Sequence, residues 1–277
     1  MNRILIIFFF FQIFSSGYGQ EKSEKTAFIE ITYIANEGML LSSGDQQVLI
    51  DGLFQENVYG YQHIPKKLRE QLETAVAPYD QIDLLLVTHL HLDHFHAESI
   101  GRHLSYNENA ALIAGQDVVG LLSSDYADFA AIKNRIHSVA LPWKQHVALT
   151  VDGFEVSALR IRHGGSMNYG MDHLGYLLHV GPFKILHIGD VEIAEEDFSS
   201  FALPDEEVDI AFIPDWFLKT SNGQKIVKEL IQPKEIIAIH VRPSKVQELK
   251  QTLQSNFPKA VVFEAPLDVI RFEMEME

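Results

Sequence analysis

The stretch Thr88-His89-Leu90-His91-Leu92-Asp93-His94-Phe95-His96 carries the densest set of metal-binding side chains in the sequence. Neutral imidazole offers a nitrogen to a divalent ion, and a carboxylate offers an oxygen. His89 and His91 are two residues apart, so in extended chain they project to the same side. Asp93 and His94 are adjacent, so they diverge and can serve a second ion. The spacing H-x-H-x-D-H therefore points to the core of a two-metal site. It follows residues 82–87, an apolar run bounded by polar residues that reads as a buried strand. A histidine-rich surface loop is the plainer alternative, but it gives no reason for this spacing directly after an apolar strand.

Three further residues stand where apolar runs end. His163 follows 154–162, Asp190 follows 183–189, and His240 follows 235–239. Such ends are where sheet proteins gather functional groups. Each alone has an ordinary explanation, as a helix-capping aspartate or a satisfied core histidine. Together with the H-x-H-x-D-H stretch they complete a ligand set for two ions. His96, Asn168, Tyr169, Met171, His173, Trp216 and Arg242 lie near the same ends in sequence and are candidates for substrate contact. Asp172-His173 could offer a proton to a leaving group, with a solvated turn as the alternative. Arg242 could hold a substrate anion, with a surface ion pair as the alternative. His103, His137, His146, His179 and His187 show no ligand spacing and read as structural.

The elements that must position these groups alternate between strand and helix patterns. Strands are expected at 28–34, 39–42 and 47–50, with Asn36-Glu37-Gly38 and Ser43-Gly44-Asp45 as turns. A helix is expected over 64–77, between Pro65 and Pro78, and another over 97–104. Strands follow at 110–114, 136–141, 146–151 and 154–161, with helical pieces at 116–123 and 126–132. The second half repeats the theme. Residues 174–180 and 183–188 form a hairpin, 208–213 and 235–239 are strands, and 223–231 and 244–255 are helices. Short strands at 260–263 and 268–272 close the chain. Two layers of sheet with helices outside satisfy this order.

At these residues the chain resembles the metallo-β-lactamase superfamily of metallohydrolases. The matching pieces are Asp51 in Val48-Leu49-Ile50-Asp51, the Thr88-to-His94 motif, His163, Asp190 in His187-Ile188-Gly189-Asp190, and His240, in that order. The resemblance implies an α/β fold, a four-layer αββα sandwich with the metals at one edge of the sheets. It implies a first site from His89, His91 and His163, and a second from Asp93, His94 and His240, with Asp190 bridging. Asp51 would steady the metal loop. Within the superfamily the layout is similar to the ascorbate-6-phosphate lactonase and N-acyl phosphatidylethanolamine phospholipase branch. The cofactors expected are two divalent ions. Zinc suits the mixed nitrogen and oxygen ligands, and manganese and iron are admitted because no thiolate forces the choice.

The activity expected is a secreted dinuclear-metal-dependent hydrolase. An ester, lactone or phosphodiester would be attacked by hydroxide shared between the ions, whose water is acidified towards neutral pH. His91, Asp93 and Asp190 are the catalytic candidates, with Asp93 both binding metal and orienting the nucleophile. A β-lactam hydrolase and a non-catalytic metal-dependent binding protein are the alternatives.

Composition narrows the field. The chain has 277 residues and a net charge of −16 with no Lys/Arg run, which argues against a nucleic-acid partner and for a small-molecule substrate. It has no cysteine, which excludes disulfides and Cys-type zinc sites. Residues 1–19 combine Arg3, a short apolar run and Gly17-Tyr18-Gly19, the pattern of a signal peptide. The run falls short of the ~20 apolar residues a membrane helix needs, so no stable anchor is expected after cleavage. Residues 20–277 are expected to form a single domain acting in the periplasm or outside the cell.

Overall fold

The computed structural model describes residues 25–54, 60–168 and 170–276. The expected signal segment 1–19 and Tyr169 lie outside the described residues. In the first half of the chain, β1 (Lys25–Ala35), β2 (Gly38–Ser43) and β3 (Gln46–Ile50) form an antiparallel meander. Three strands continue it in parallel: β4 (Leu84–Val87), β5 (Ala111–Gly115) and β6 (Ile136–Val139). The second half does the same. An antiparallel set of β7 (His146–Val151), β8 (Phe154–Arg160), β9 (Leu174–Val180) and β10 (Phe183–His187) is followed in parallel by β11 (Ile210–Pro214), β12 (Glu235–Ile239) and β13 (Val261–Val262). The last strand, β14 (Val269–Met276), returns to the first sheet and pairs with β1. Two seven-stranded sheets result, ordered β14-β1-β2-β3-β4-β5-β6 and β13-β12-β11-β10-β9-β8-β7.

Side-chain alternation explains the layering. In β1, Ile29, Ile31 and Tyr33 are buried between the sheets while Glu30 is exposed. In β4 both faces are buried. Leu84 and Leu86 join the core between the sheets, and Leu85 and Val87 join a second core beneath helices. A strand covered on both faces reads as a continuous apolar run. That outer core is closed by α1 (Lys66–Glu73), α2 (Ala97–Tyr106), α3 (Gln116–Asp125) and α4 (Phe129–Ile132). On the other sheet the corresponding layer comes from α5 (Glu195–Phe198), α6 (Asp215–Lys219), α7 (Ser221–Ile226) and α8 (Val246–Leu253). The fold is the expected αββα sandwich.

Boundaries differ from expectation in particular places. The helix expected over 223–231 is α7 followed by a π-helical turn, Val227–Ile231. The helix α6 was not expected, because its five residues are too few to show a helical period. Among the described residues no helix is long and apolar enough to cross a membrane. Tyr176, fully buried on β9, donates its hydroxyl to the Val87 carbonyl at 2.7 Å. It ties the second sheet to the strand that delivers the histidine motif.

Candidate metal centre

The chain leaves β4 at Val87 and turns at once. His94 and Phe95 both donate their backbone N–H to the His91 carbonyl, at 3.0 and 2.9 Å. That tight turn brings His89, His91, Asp93 and His94 together. His163 lies just past β8 and forms a bridge to Val191, and the Gly164 N–H donates to the Asp190 carbonyl at 2.7 Å. His240 follows β12 directly. The two sheets thus deliver their functional side chains to one edge.

Two donor groups form there. His89, His91, His163 and Asp190 offer ligand atoms mutually within 4.8 Å. Glu37, His94, Asp190 and His240 do the same, so Asp190 belongs to both. Asp93 faces the second group, with its Oδ2 3.5 Å from His240 Nε2 and 3.9 Å from His94 Nε2. Asn36 Nδ2 donates to the same oxygen at 3.4 Å. Every residue expected as a ligand is therefore at this edge. Glu37 was not expected. It is fully buried in the turn between β1 and β2, and only the fold brings it to the other donors.

One hydrogen-bond chain sets the tautomers. The Thr88 hydroxyl donates to Asp51 Oδ2 at 2.6 Å and accepts from His89 Nδ1 at 3.0 Å. His94 Nδ1 donates to the same Asp51 oxygen at 2.8 Å. Asp51 Oδ1 accepts the Thr88 backbone N–H at 2.8 Å. The lone pairs of His89 and His94 are thereby placed on Nε2. His163 Nδ1 donates to the Gly164 carbonyl at 2.7 Å, which leaves its Nε2 lone pair free as well.

The Nε2 lone pairs of His89 and His163 face each other with no proton between them. His89 Nε2 stands 3.0 Å from His91 Nδ1 and 3.2 Å from His163 Nε2. Bare lone pairs repel at that distance. Donors around a tetrahedral zinc, at Zn–N of 2.0–2.1 Å, stand about 3.3–3.4 Å apart. In the second group His94 Nε2, Asp190 Oδ1 and both Glu37 oxygens are buried without a hydrogen-bond partner. Convergent lone pairs and orphaned buried atoms are what a cation would satisfy. The residues fit divalent metal at both positions.

Electrostatics separates the positions. Burial pushes His89 well below the usual imidazole range, and burial also lowers His91 and His163, so all three stay neutral and ready to donate. At His94 and His240 burial acts in the same direction, but Asp190 and the neighbouring carboxylates outweigh it and hold both well above their ordinary value, so a cation at His94 Nε2 would take the place of a proton. Burial would raise Asp190, yet His240 and His94 hold it well down. Burial and the Asp190 charge push Glu37 well up. The second group is a concentrated field of opposed charges, and the first is a neutral nitrogen cage.

The other sequence candidates divide. Trp216 and Tyr61 both pack edge-on against His240, at 5.1 and 4.1 Å between centroids, and the exposed Arg242 lies 5.2 Å over the Tyr61 ring. They flank the second position; Tyr61 carried no signal in the sequence. Asn168 Nδ2 donates to the Gly164 carbonyl at 3.1 Å and so braces the His163 loop. Met171 N–H donates to the Asn168 carbonyl in the same loop. His96 belongs elsewhere: its Nδ1 bonds Ser99 Oγ, which bonds Glu73 between α1 and α2. Asp172-His173 is not the solvated turn offered as the alternative. His173 is fully buried against the His89 and His163 rings, and Asp172 is paired with Arg160 at 3.3 Å. His187, read as structural, does stand with Glu37 and Asp51 in a buried group beneath the second position.

Comparison with known proteins agrees with this arrangement. The family profile described as the β-lactamase superfamily domain matches residues 46–260. A UPF0173 metal-dependent hydrolase of Thermococcus kodakarensis is 24% identical over 221 residues, covering 76% of this chain and 84% of its own. Igni18, a metallo hydrolase from Ignicoccus hospitalis, has a similar fold with a TM-score of 0.58 and 14% identity, covering 90% of this chain and 100% of its own. A metallo-β-lactamase fold protein of Bacillus subtilis superposes with a TM-score of 0.57 and 15% identity, covering 89% of this chain and 100% of its own. With its profile match spanning most of the described residues, its αββα layers and its motif at the sheet edge, the chain belongs to the metallo-β-lactamase superfamily.

Proposed function

We propose that this protein is a metal-dependent hydrolase with two adjacent metal positions, acting on a small ester, lactone or phosphodiester. The observation that carries the reading is the pair of donor groups joined through Asp190. The metal-dependent hydrolase named among its relatives supports the reaction type. His89, His91 and His163 would hold one ion; Asp93, His94 and His240 would hold the other, with Asp190 between. Divalent ions there supply Lewis-acid chemistry, activating water at neutral pH and polarising a carbonyl or phosphoryl oxygen. Zinc suits the first position, since three imidazoles and a carboxylate match its preferences.

The remaining chemistry is the protein's own. Asn36 fixes the Asp93 carboxylate, so that its free oxygen can accept a proton from the attacking water and hold its orientation. Asp51 and Thr88 lock His89 and His94 with nitrogen lone pairs aimed at the centre. Trp216 and Tyr61 wall one side of His240, and the Arg242 guanidinium above Tyr61 is available to an anionic substrate group. His91 is only half-buried, so solvent and substrate approach from its side.

Turnover of a chromogenic phosphodiester by protein reconstituted with zinc or manganese tests the proposal, with His91→Ala as control. The expected result is metal-dependent hydrolysis that falls at least 100-fold in the variant, together with loss of bound metal. Equal hydrolysis by both proteins would refute the site. Two ions bound without phosphodiester turnover would move the substrate class to lactones and carboxylic esters.

A further inference from the structure

We propose that Glu37 is a direct ligand of the second metal position, making that position oxygen-rich and able to retain a hard divalent ion such as manganese(II) or iron(II). The inference rests on the two-position reading above and adds to it a residue, and an ion preference, that the histidine motif does not contain.

Glu37 is 0% exposed, and neither of its carboxylate oxygens has a hydrogen-bond partner. A buried carboxylate left that way either takes up a proton or is compensated by a cation. Its ligand atom lies within 4.8 Å of those of His94, Asp190 and His240, and its Oε2 is 3.7 Å from His94 Nδ1. His94 Nδ1 is already committed to Asp51, so it does not satisfy Glu37. His94 Nε2 and Asp190 Oδ1, in the same group, are likewise buried without partners. A cation among them satisfies all of these atoms at once.

The turn holds Glu37 in place. Gly38 is packed so closely that a Cβ there would stand 3.0 Å from the Ala35 carbonyl, the Asp51 carbonyl and Gly52 Cα. Asn36, on the other side, adopts a left-handed φ of 49° and reaches Asp93 with its amide. Glu37 is therefore clamped between Asn36, which holds Asp93, and Gly38, which packs on the Asp51–Gly52 backbone. It lies upstream of residues 46–260, outside the segment that matches the family profile.

Counting donors shows the consequence. The first position draws on three imidazoles and Asp190. With Glu37, the second draws on His94, His240 and three carboxylates. Imidazole-rich sets suit zinc, whereas carboxylate-rich sets suit manganese and other hard ions.

The test is equilibrium dialysis of the purified chain against manganese(II) alone and against zinc(II) alone. Metal content is read by mass spectrometry and bound manganese by electron paramagnetic resonance. The comparison is with Glu37→Gln and Glu37→Asp. Wild-type protein should hold two manganese ions. Glu37→Gln should bind the second at least tenfold more weakly while keeping its first zinc, and Glu37→Asp should fall between. A Glu37→Gln variant that takes up two manganese ions with wild-type affinity and an unchanged resonance spectrum overturns the inference and leaves the two-position reading standing. A wild-type chain that binds fewer than two ions of either metal overturns both. Retained zinc in the first position shows that Glu37→Gln has folded; should it not fold, Glu37→Asp, which keeps the charge but shortens the reach, decides, weaker manganese binding than wild type being expected and wild-type affinity overturning the inference.

Discussion

Asp51 Oδ2 accepts both the Thr88 hydroxyl and the His94 Nδ1–H, and Thr88 passes the effect on to His89. One carboxylate thus sets a histidine tautomer in each of the two donor groups. Outer partners of this kind are worth 10–100-fold in metal affinity. Asp51→Asn should therefore weaken both ions by roughly 10–100-fold, read by competition with a chromophoric chelator; loss at one position alone would break the proposed relay. His187 acts on stability instead. Its Nε2–H donates to the Glu37 carbonyl at 3.4 Å, and its Nδ1 accepts the Gly189 N–H at 3.2 Å, a pattern that only neutral imidazole satisfies. Burial lowers it to about 4, with Asp51 opposing. Because the folded value lies below the unfolded value of about 6.5, the unfolded chain takes the proton first as pH falls. The contribution is complete above about pH 6.5 and is lost on acidification towards pH 4, a change of about 3 kcal/mol. Urea unfolding of metal-free protein at pH 7 and pH 4.5 should show a steeper acid loss for wild type than for His187→Gln. Equal losses would contradict it.

The strands deliver these residues by ending abruptly. Asp51 after β3, Gly189 after β10 and His240 after β12 all take a positive φ, at 44°, 59° and 56°. For a non-glycine residue such a conformation costs about 1–3 kcal/mol and persists only where the surroundings enforce it. At Gly189 there is no room for a side chain. A Cβ would stand 2.7 Å from His173 Nε2 and 3.1 Å from Thr88 Cβ. Gly189→Ala should lower stability by about 1–3 kcal/mol and displace Asp190, reducing turnover with it. A denaturation midpoint and a rate both unchanged would show that this corner is soft. The strands themselves were legible as apolar runs, β4 most clearly, because burial on both faces leaves no polar residue in it. The left-handed corners were not legible at Asp51 and His240, since nothing in either residue type requires that conformation. Glu37 was read as one residue of a turn. Its meeting with His94, Asp190 and His240 depends on how separate strands pack, which local pattern does not carry.

At the scale of the whole molecule, the centre exists only when the halves are packed together. The first sheet contributes Glu37, His89, His91, Asp93 and His94; the second contributes His163, Asp190 and His240. The αββα order was readable because each half presents strand runs followed by strand–helix alternation. The resemblance to a known superfamily then supplied which strand ends meet. Trp216 and Arg242 were expected near these ends; what neither reading could supply is Tyr61, which completes the wall around His240, because contacts between distant loops leave no periodic trace. The two donor groups at this edge are expected to hold two ions. The most direct test is an anomalous difference map from a crystal of the protein grown with manganese. Two peaks are expected about 3.5–4 Å apart, one among His89, His91 and His163, the other among His94, His240 and Asp93, with Asp190 between them. A single peak, or peaks away from these residues, would rule out a two-ion centre.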